Sequence, residues 1–198
     1  MLLWLNDVLA AAVSLKRDIS PVVATCPLVS GSVQNLPAAT GQYGSYVQCM
    51  EPLYNTASLN AVNKAGMTLI QRRIPNWRTI TQTTDVTDVM FDDRSPTVFH
   101  VYPPNNGSGS LQMLVGGVPF MSGAGVATLN TSTTVIPIPD NYRQAIVHGL
   151  ISKALASQTR RQDTQKAQFH WQIFEGMILA SKIAIPEATP RLSEKEQA

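Results

Sequence analysis

The sequence predicts an α+β fold that is mainly helical: amphipathic helices packed as a bundle, with a protruding β-hairpin or small antiparallel sheet and an extended C-terminal tail. Three observations predict it. Apolar residues recur at three-to-four spacing over residues 2–19 and again over 141–181. Strand-like runs flank a turn-rich segment between Thr97 and Val118. From Pro186 to Ala198 the chain is polar and aperiodic. The division that follows is one domain over 1–182, a helical body with a β insertion at about 67–120, and an arm over 183–198.

Residues 2–19 form one stripe, Leu2, Leu5, Val8, Leu9, Ala12, Val13 and Ile19, spaced to bury a single helix face. Ser20-Pro21 ends that helix, because a proline ring disfavours helical backbone at the residue before it. Its abrupt start at Met1 reads as the tail end of an element whose earlier part is absent. From 21 to 60, Pro27, Pro37 and Pro52 with Gly31, Gly41 and Gly44 punctuate short strand-like runs such as Tyr46–Met50. Residues 57–65 read as a short helix, and Met67–Gln71 as a strand.

Val98–Tyr102 is β-branched and aromatic, Pro103–Ser110 is turn chemistry throughout, and Leu111–Val115 returns as a second strand. That pattern is a β-hairpin with a long tip. A glycine-rich stretch, Gly116 to Gly125, and a Thr/Ser-rich one, Thr128 to Thr134, lead to the stiff Ile136-Pro-Ile-Pro. In 141–181, Ile146, Leu150, Ile151, Ala154 and Leu155 make one stripe and Phe169, Ile173, Phe174, Met177 and Ile178 another, with Ser157–Lys166 almost devoid of apolar residues. The reading is two antiparallel helices meeting near Arg161, with Asp163 as N-cap of the second; the alternative is one long helix with a solvated waist. The tail beyond Pro186 cannot bury enough apolar surface to offset chain entropy, so lying on another chain would order it.

The chain has 198 residues, 44% of them hydrophobic and only 14% charged, against roughly a quarter charged in an ordinary soluble domain. Covering surface with neighbouring subunits is one way to stay soluble, and abundant Ser, Thr, Asn and Gln is another. The net charge of +2 makes no case for a dedicated nucleic-acid binder. Its distribution is uneven: seven Lys/Arg against eight Asp/Glu in residues 1–142, then eight against five in 143–198. Cys26 and Cys49, not in a CxxC pair, suggest a reducing compartment, with a single Cys26–Cys49 bridge as the alternative. The start lacks a basic n-region, and Asn6-Asp7 interrupt its apolar run, so it is not a signal peptide. No apolar stretch approaches the ~18 residues of a membrane span; a soluble, unexported protein is expected.

Catalytic chemistry finds no footing. His100, His148 and His170 lie in different elements without metal-ligand spacing and read as structural histidines satisfied by neighbours. Gly107-Ser108-Gly109 and Gly123-Ala124-Gly125 lack the Lys-Ser/Thr and the strand–helix setting of a phosphate loop. Asp92-Asp93 and Asp85/Asp88 lack a third ligand at loop spacing. No GxSxG elbow places a serine nucleophile. No enzyme, metal or cofactor is expected. Arg160-Arg161, with Arg143, Lys153 and Lys166, is a basic group on helices: either a solvated face or a surface beside passing DNA, touching phosphates and not base edges.

Three segments resemble the head-to-tail adaptor (connector) family of short-tailed bacteriophages: Leu2–Val8, with its Trp-Leu-Asn-acid core; Arg72–Arg78 with Phe91–Pro104 and the returning strand; and the helical pair from Tyr142, including Phe169–Phe174. The likeness covers most of the chain, least so over 20–60, and family members have residues upstream of this chain's start. The resemblance implies a structural virion protein with no catalytic residues, a homo-oligomeric ring of twelve subunits in the neck, assembled in the host cytoplasm. Such a ring docks on the portal protein, presents a platform to the tail nozzle and tail fibre proteins, and passes genomic DNA non-specifically through its lumen, with no membrane involved. On that reading the arm (Ile185, Pro186, Pro190, Arg191, Leu192) contacts the portal and the hairpin tip (Pro104, Asn105, Asn106, Ser108) contacts a neighbouring subunit or the nozzle. Arg160, Arg161 and Lys166 then face DNA. The rivals are another neck subunit, such as a nozzle or tail-completion protein, and a non-viral helical binding module.

Overall fold

Helix α1 (Leu2–Leu15) forms where the first apolar stripe predicts a helix and buries Leu5, Val8, Leu9, Ala12 and Val13. In the computed structural model, which describes residues 2–92, 94–121, 135–157 and 163–180, it ends one turn earlier than Ser20-Pro21 suggests. Ile19 is still fully buried, and the Ser20 hydroxyl donates to the Pro137 carbonyl over 2.7 Å. The strands then follow in quick succession: β1 (Pro21–Pro27), β2 (Ser30–Asn35), β3 (Tyr43–Asn55) and the two-residue β4 (Asn63–Lys64). Helix α2 (Met67–Arg73) precedes β5 (Asp88–Phe91), β6 (Val98–Asn106) and β7 (Ser110–Pro119). A single 3-10 turn, Asp140–Tyr142, leads into α3 (Arg143–Ser157), and α4 (Thr164–Ala180) follows.

The expectation of a mainly helical bundle is overturned. The chain is about 35% helix and 33% strand, with two multi-stranded sheets. One sheet has the order β1-β7-β3; the other has the order β2-β6-β5-β4. All pairings are antiparallel except β4 with β5. The hairpin expected between Val98 and Val115 is also corrected: β6 pairs with β2 and β5, while β7 pairs with β1 and β3. The chain therefore crosses from one sheet to the other at Gly107–Gly109. Alternate residues of both sheets, Cys26 of β1, Cys49 of β3, Val89 of β5, Phe99 and Val101 of β6, and Leu111, Met113 and Val115 of β7, bury into one cluster. That is the interior of a small β-sandwich.

Each sheet is covered on its other face. On β5, Val89 enters the sandwich while Met90 packs with Ile70 of α2 and Trp77. The helices α1, α3 and α4 share a second core around Val8, Leu9, Tyr142, Phe174 and Ile178, against which Val47 of β3 and Val118 of β7 pack.

Two local expectations fail for local reasons. Residues 57–65 do not form a helix, because Leu59 takes a left-handed φ of 60° and Asn63–Lys64 pair in parallel with Asp88–Val89. Met67–Gln71 is helical and not a strand: only Ile70 is buried, by a one-turn contact with Trp77 and Met90, so there is no two-residue alternation to read. The expected pair of antiparallel helices near the end of the chain is present as α3 and α4.

Candidate functional site

The α3–α4 pair is built on small residues. Helix α3 turns Ala145, Gly149 and Ser152 inward, and a Cβ on Gly149 would stand 2.6 Å from Val8 Cγ1 and 3.3 Å from Phe174 Cδ2. The Ser152 hydroxyl donates to the Ala167 carbonyl over 2.8 Å, which leaves that buried hydroxyl satisfied. Asp163 stands just before α4 and accepts the Lys166 backbone N–H at 3.0 Å, the N-cap the sequence predicts. That N–H, with the Lys166 ammonium at 2.9 Å, holds the Asp163 carboxyl below the usual carboxylate range.

Because the inward face uses small side chains, large ones remain outside. Phe169, Met177 and Leu179 of α4 are exposed at 59%, 36% and 61%, although the stripe rule places Phe169 and Met177 in the core. Gly176 lies on the same side, and a Cβ there would meet nothing within 4 Å. Across α3, on the side away from α4, Val147, Leu150 and Ile146 line a groove of about 500 Å³ with Leu5, Ile136 and Ile138. Its polar rim is the Asp140–Arg143 ion pair at 2.7 Å. Among the described residues, an uncharged ridge thus lies on one side of the helical pair and an apolar groove on the other.

The tip between β6 and β7 is shorter and stiffer than its composition suggests. Strand β6 runs through both prolines to Asn106, leaving Gly107–Gly109 as the connection. Of the four residues expected to reach a partner, Asn106 and Ser108 are exposed, whereas Pro104 and Asn105 are buried within this chain. The Asn105 amide donates to the carbonyls of Thr83 (3.1 Å) and Thr84 (2.7 Å) and accepts from the N–H groups of Gly107 (2.8 Å) and Gly109 (3.2 Å). Gly109 is required there, since a Cβ would collide with the Thr84 carbonyl and the Asn105 amide. No signal short of the fold could separate the outward from the inward members of this run.

The basic group is divided. Arg143 pairs with Asp140, Lys153 with Asp7 at 3.5 Å, and Lys166 with Asp163. Arg160 and Arg161 lie outside the described residues, as do Gly123–Gly125, Asp93 and the arm with Ile185, Pro186, Pro190, Arg191 and Leu192. The carboxylates once weighed as cation ligands are spent locally: Asp92 accepts the Arg94 N–H at 3.0 Å, Asp85 the Asn60 amide at 3.3 Å, and Asp88 the Thr87 hydroxyl at 2.8 Å. Among the described residues, no three His, Cys, Asp or Glu side chains gather in a metal-ligating group, and no helix is long and apolar enough to cross a membrane.

The histidines differ from expectation. His148 and His170, separated on different helices in sequence, come together Nδ1 to Nδ1 at 2.8 Å. His100 stacks edge-on against Trp77, with ring centroids 6.0 Å apart, and its buried Nδ1 finds no partner among the described residues. Burial, then the nearby Arg78 charge, pushes its pKa below the ordinary histidine value, against a smaller opposite pull from Asp92. Cys26 and Cys49 are free thiols buried in the sandwich, and burial pushes both up to about 12.

Two comparisons with known proteins complete the picture. A family model described as SU10 adaptor protein matches residues 1–192. No curated protein matches the chain.

Proposed function

Since the chain belongs to the SU10 adaptor protein family of phage head-to-tail structural proteins, we propose that its copies close into a ring between portal and tail nozzle and pass DNA through the lumen. The protein is a structural virion component. One geometric observation carries the ring reading. A cyclic assembly uses heterologous contacts, in which one face of each subunit meets a different, complementary face of the next. The α4 ridge (Phe169, Gly176, Leu179) and the groove beyond α3 (Leu5, Val147, Leu150) lie on opposite sides of the helical pair, the ridge uncharged and the groove apolar within its Asp140–Arg143 rim.

Within that proposal, twelve copies form the ring and residues 1–182 are its body. The arm over 183–198 lies on the portal through Ile185, Pro186, Pro190, Arg191 and Leu192, as an extended segment ordering on binding. Asn106 and Ser108, backed by the buried Pro104 and Asn105, face a neighbour or the nozzle. Arg160, Arg161 and Lys166 border the DNA path, where contact would be with phosphates, sequence-independent and salt-sensitive.

The test is electron-microscope imaging of the chain assembled on its portal, alongside a Phe169→Asp variant and a deletion of residues 186–198. Rings are expected for the wild type, loss of rings for Phe169→Asp, and loss of portal binding for the deletion. A wild-type chain that stays monomeric with the portal present sinks the ring reading. Unchanged portal binding by the deletion sinks the assignment of the arm.

A further inference from the structure

We propose that Arg72, Arg73 and Arg78, displayed by α2 and the turns beyond it, form a sequence-independent binding surface for the phosphate backbone of a nucleic-acid duplex. The small net charge of the chain conceals how unevenly it is spread. Residues 52–84 hold Lys64, Arg72, Arg73 and Arg78 and no Asp or Glu, so this segment carries +4 in a chain whose total is +2. Lys64 is spent locally, its ammonium 5.1 Å from the Phe91 ring centre and 3.4 Å from the Met50 carbonyl. The three arginines are all exposed, and among the described residues no guanidinium of theirs has an ion-pair or hydrogen-bond partner.

The fold holds them outward. Helix α2 buries Ile70 against Trp77 and Met90 and leaves Arg72 and Arg73 of its last turn exposed. The chain continues through two tight turns, Trp77 N–H to the Ile74 carbonyl at 3.1 Å and Thr79 N–H to the Asn76 carbonyl at 2.9 Å. Trp77 is buried there, and the Arg78 guanidinium lies over its ring, 5.0 Å from the centre. Held on an aromatic face, that side chain is restrained before any partner arrives. The field at a helix C-terminus accounts for a cation at 72 or 73. It does not account for Arg78, which stands beyond the helix end.

The chemistry of the patch selects the partner. A guanidinium presents a planar fork that fits two phosphate oxygens at once. Gln71, Asn76 and Thr79 around the arginines are also exposed and polar, and Leu69 is the one large apolar side chain exposed between 67 and 79. Protein-binding surfaces are depleted of charge at their centre and carry aromatic anchors, whereas here the aromatic ring is turned inward. A single strand would need exposed rings on which its bases stack. With Trp77 buried, the fitting partner is a duplex, whose phosphates set one charge per about 1.7 Å of axis. The inference rests on neither the ring nor Arg160, Arg161 and Lys166, because the surface belongs to the single chain.

The experiment is a fluorescence-anisotropy titration of a labelled DNA duplex with the full chain as monomer, from about 50 to 200 mM salt. Three neutralised phosphates give a slope of log K against log salt of about −2.7, a fall in affinity of about fortyfold over that range. Replacing the three arginines together with glutamine (R72Q, R73Q, R78Q) should weaken binding at low salt at least about tenfold and shrink the slope to under about 1 in magnitude. The lysine counterpart (R72K, R73K, R78K) keeps the charge and should keep the slope. No duplex binding by the wild type at the low-salt end, or a glutamine variant with the wild-type slope, overturns the surface. Tighter binding to a single strand of the same length, or equal competition by polyglutamate at matched charge, overturns the duplex as partner. Should the glutamine variant fail to fold, chemical footprinting of the wild-type chain decides. The duplex should protect these three arginines from a dicarbonyl reagent, and equal modification with and without it overturns the surface.

Discussion

Asn105 donates to the carbonyl of Thr84 across 2.7 Å, from a side chain with no exposed surface. With its three other bonds, this one amide satisfies the interior of the turn that joins the two sheets. Asn105→Ala would leave the Thr84 carbonyl and the N–H groups of Gly107 and Gly109 to find other partners, while the Thr83 carbonyl keeps the Asn106 N–H at 3.0 Å. Unpaired buried polar groups cost about 1–3 kcal/mol each, partly recovered by water. We expect a loss of about 2–4 kcal/mol in urea unfolding; a loss under about 0.5 kcal/mol, the scale of an ordinary surface change, would show that the turn closes without it.

Two glycines in the helical pair should respond in opposite directions. Gly149→Ala puts a methyl 2.6 Å from the buried Val8 side chain, and overpacking of this kind costs about 1–3 kcal/mol, offset by about 1 kcal/mol from alanine's better helix propensity. Gly176→Ala meets nothing within 4 Å and should stabilise by about 0.5–1 kcal/mol, the helix-propensity difference. Chemical denaturation of both variants at low concentration, as monomers, checks the pair; the same sign for both would refute the packing described.

Acid sensitivity should trace to His100. Its pKa is lowered in the folded chain, so as pH falls below the ordinary value of about 6.5 the unfolded chain takes up the proton more readily. Stability is therefore present in full above that value and declines as pH drops toward the lowered one. His100→Phe, which keeps a ring against Trp77 and has no nitrogen to protonate, should flatten the decline between about pH 7 and 5. Unfolding free energy plotted against pH for both proteins tests this, and parallel curves would refute it.

The two cysteines should be silent in the native state. Their thiols, pushed up to about 12 and buried, present no thiolate at pH 8 to a disulfide reagent. No labelling is expected in native buffer and two thiols in denaturant. Rapid native labelling would mean that the sandwich opens readily.

The helices were legible in the sequence, and most of the sheets were not. In α1 the stripe Leu5, Val8, Leu9, Ala12, Val13 is both written in the sequence and buried. In α3 and α4 the helices were legible but their orientation was not, because Ala145, Gly149 and Ser152 face inward and a rule that follows large apolar residues is rotated away from them. Of strand β3 only the run Tyr46–Met50 was legible; its full length from Tyr43 to Asn55 was not, because its ladder with β7 shifts register four times, which destroys a strict two-residue alternation. Strand β6 was cut short at its prolines. Between the Val33–His100 and Gly31–Asn105 pairings the ladder bulges, so residues that lack an N–H sit where β2 asks for none. The meeting of His148 and His170 needed the packing of two helices, which no spacing encodes.

The passage of the chain between sheets at Gly107–Gly109 has a mechanical consequence. In a simple hairpin, the two strands leading to the tip hold only each other. Here β6 is bonded on both sides within one sheet and β7 on both sides within the other. A pull applied at Ser108 along the strands would load both ladders in shear, so that many hydrogen bonds share the force and must yield together. A partner grasping this short loop would thus be anchored to the whole sandwich, and the exposed tip would act as a rigid post.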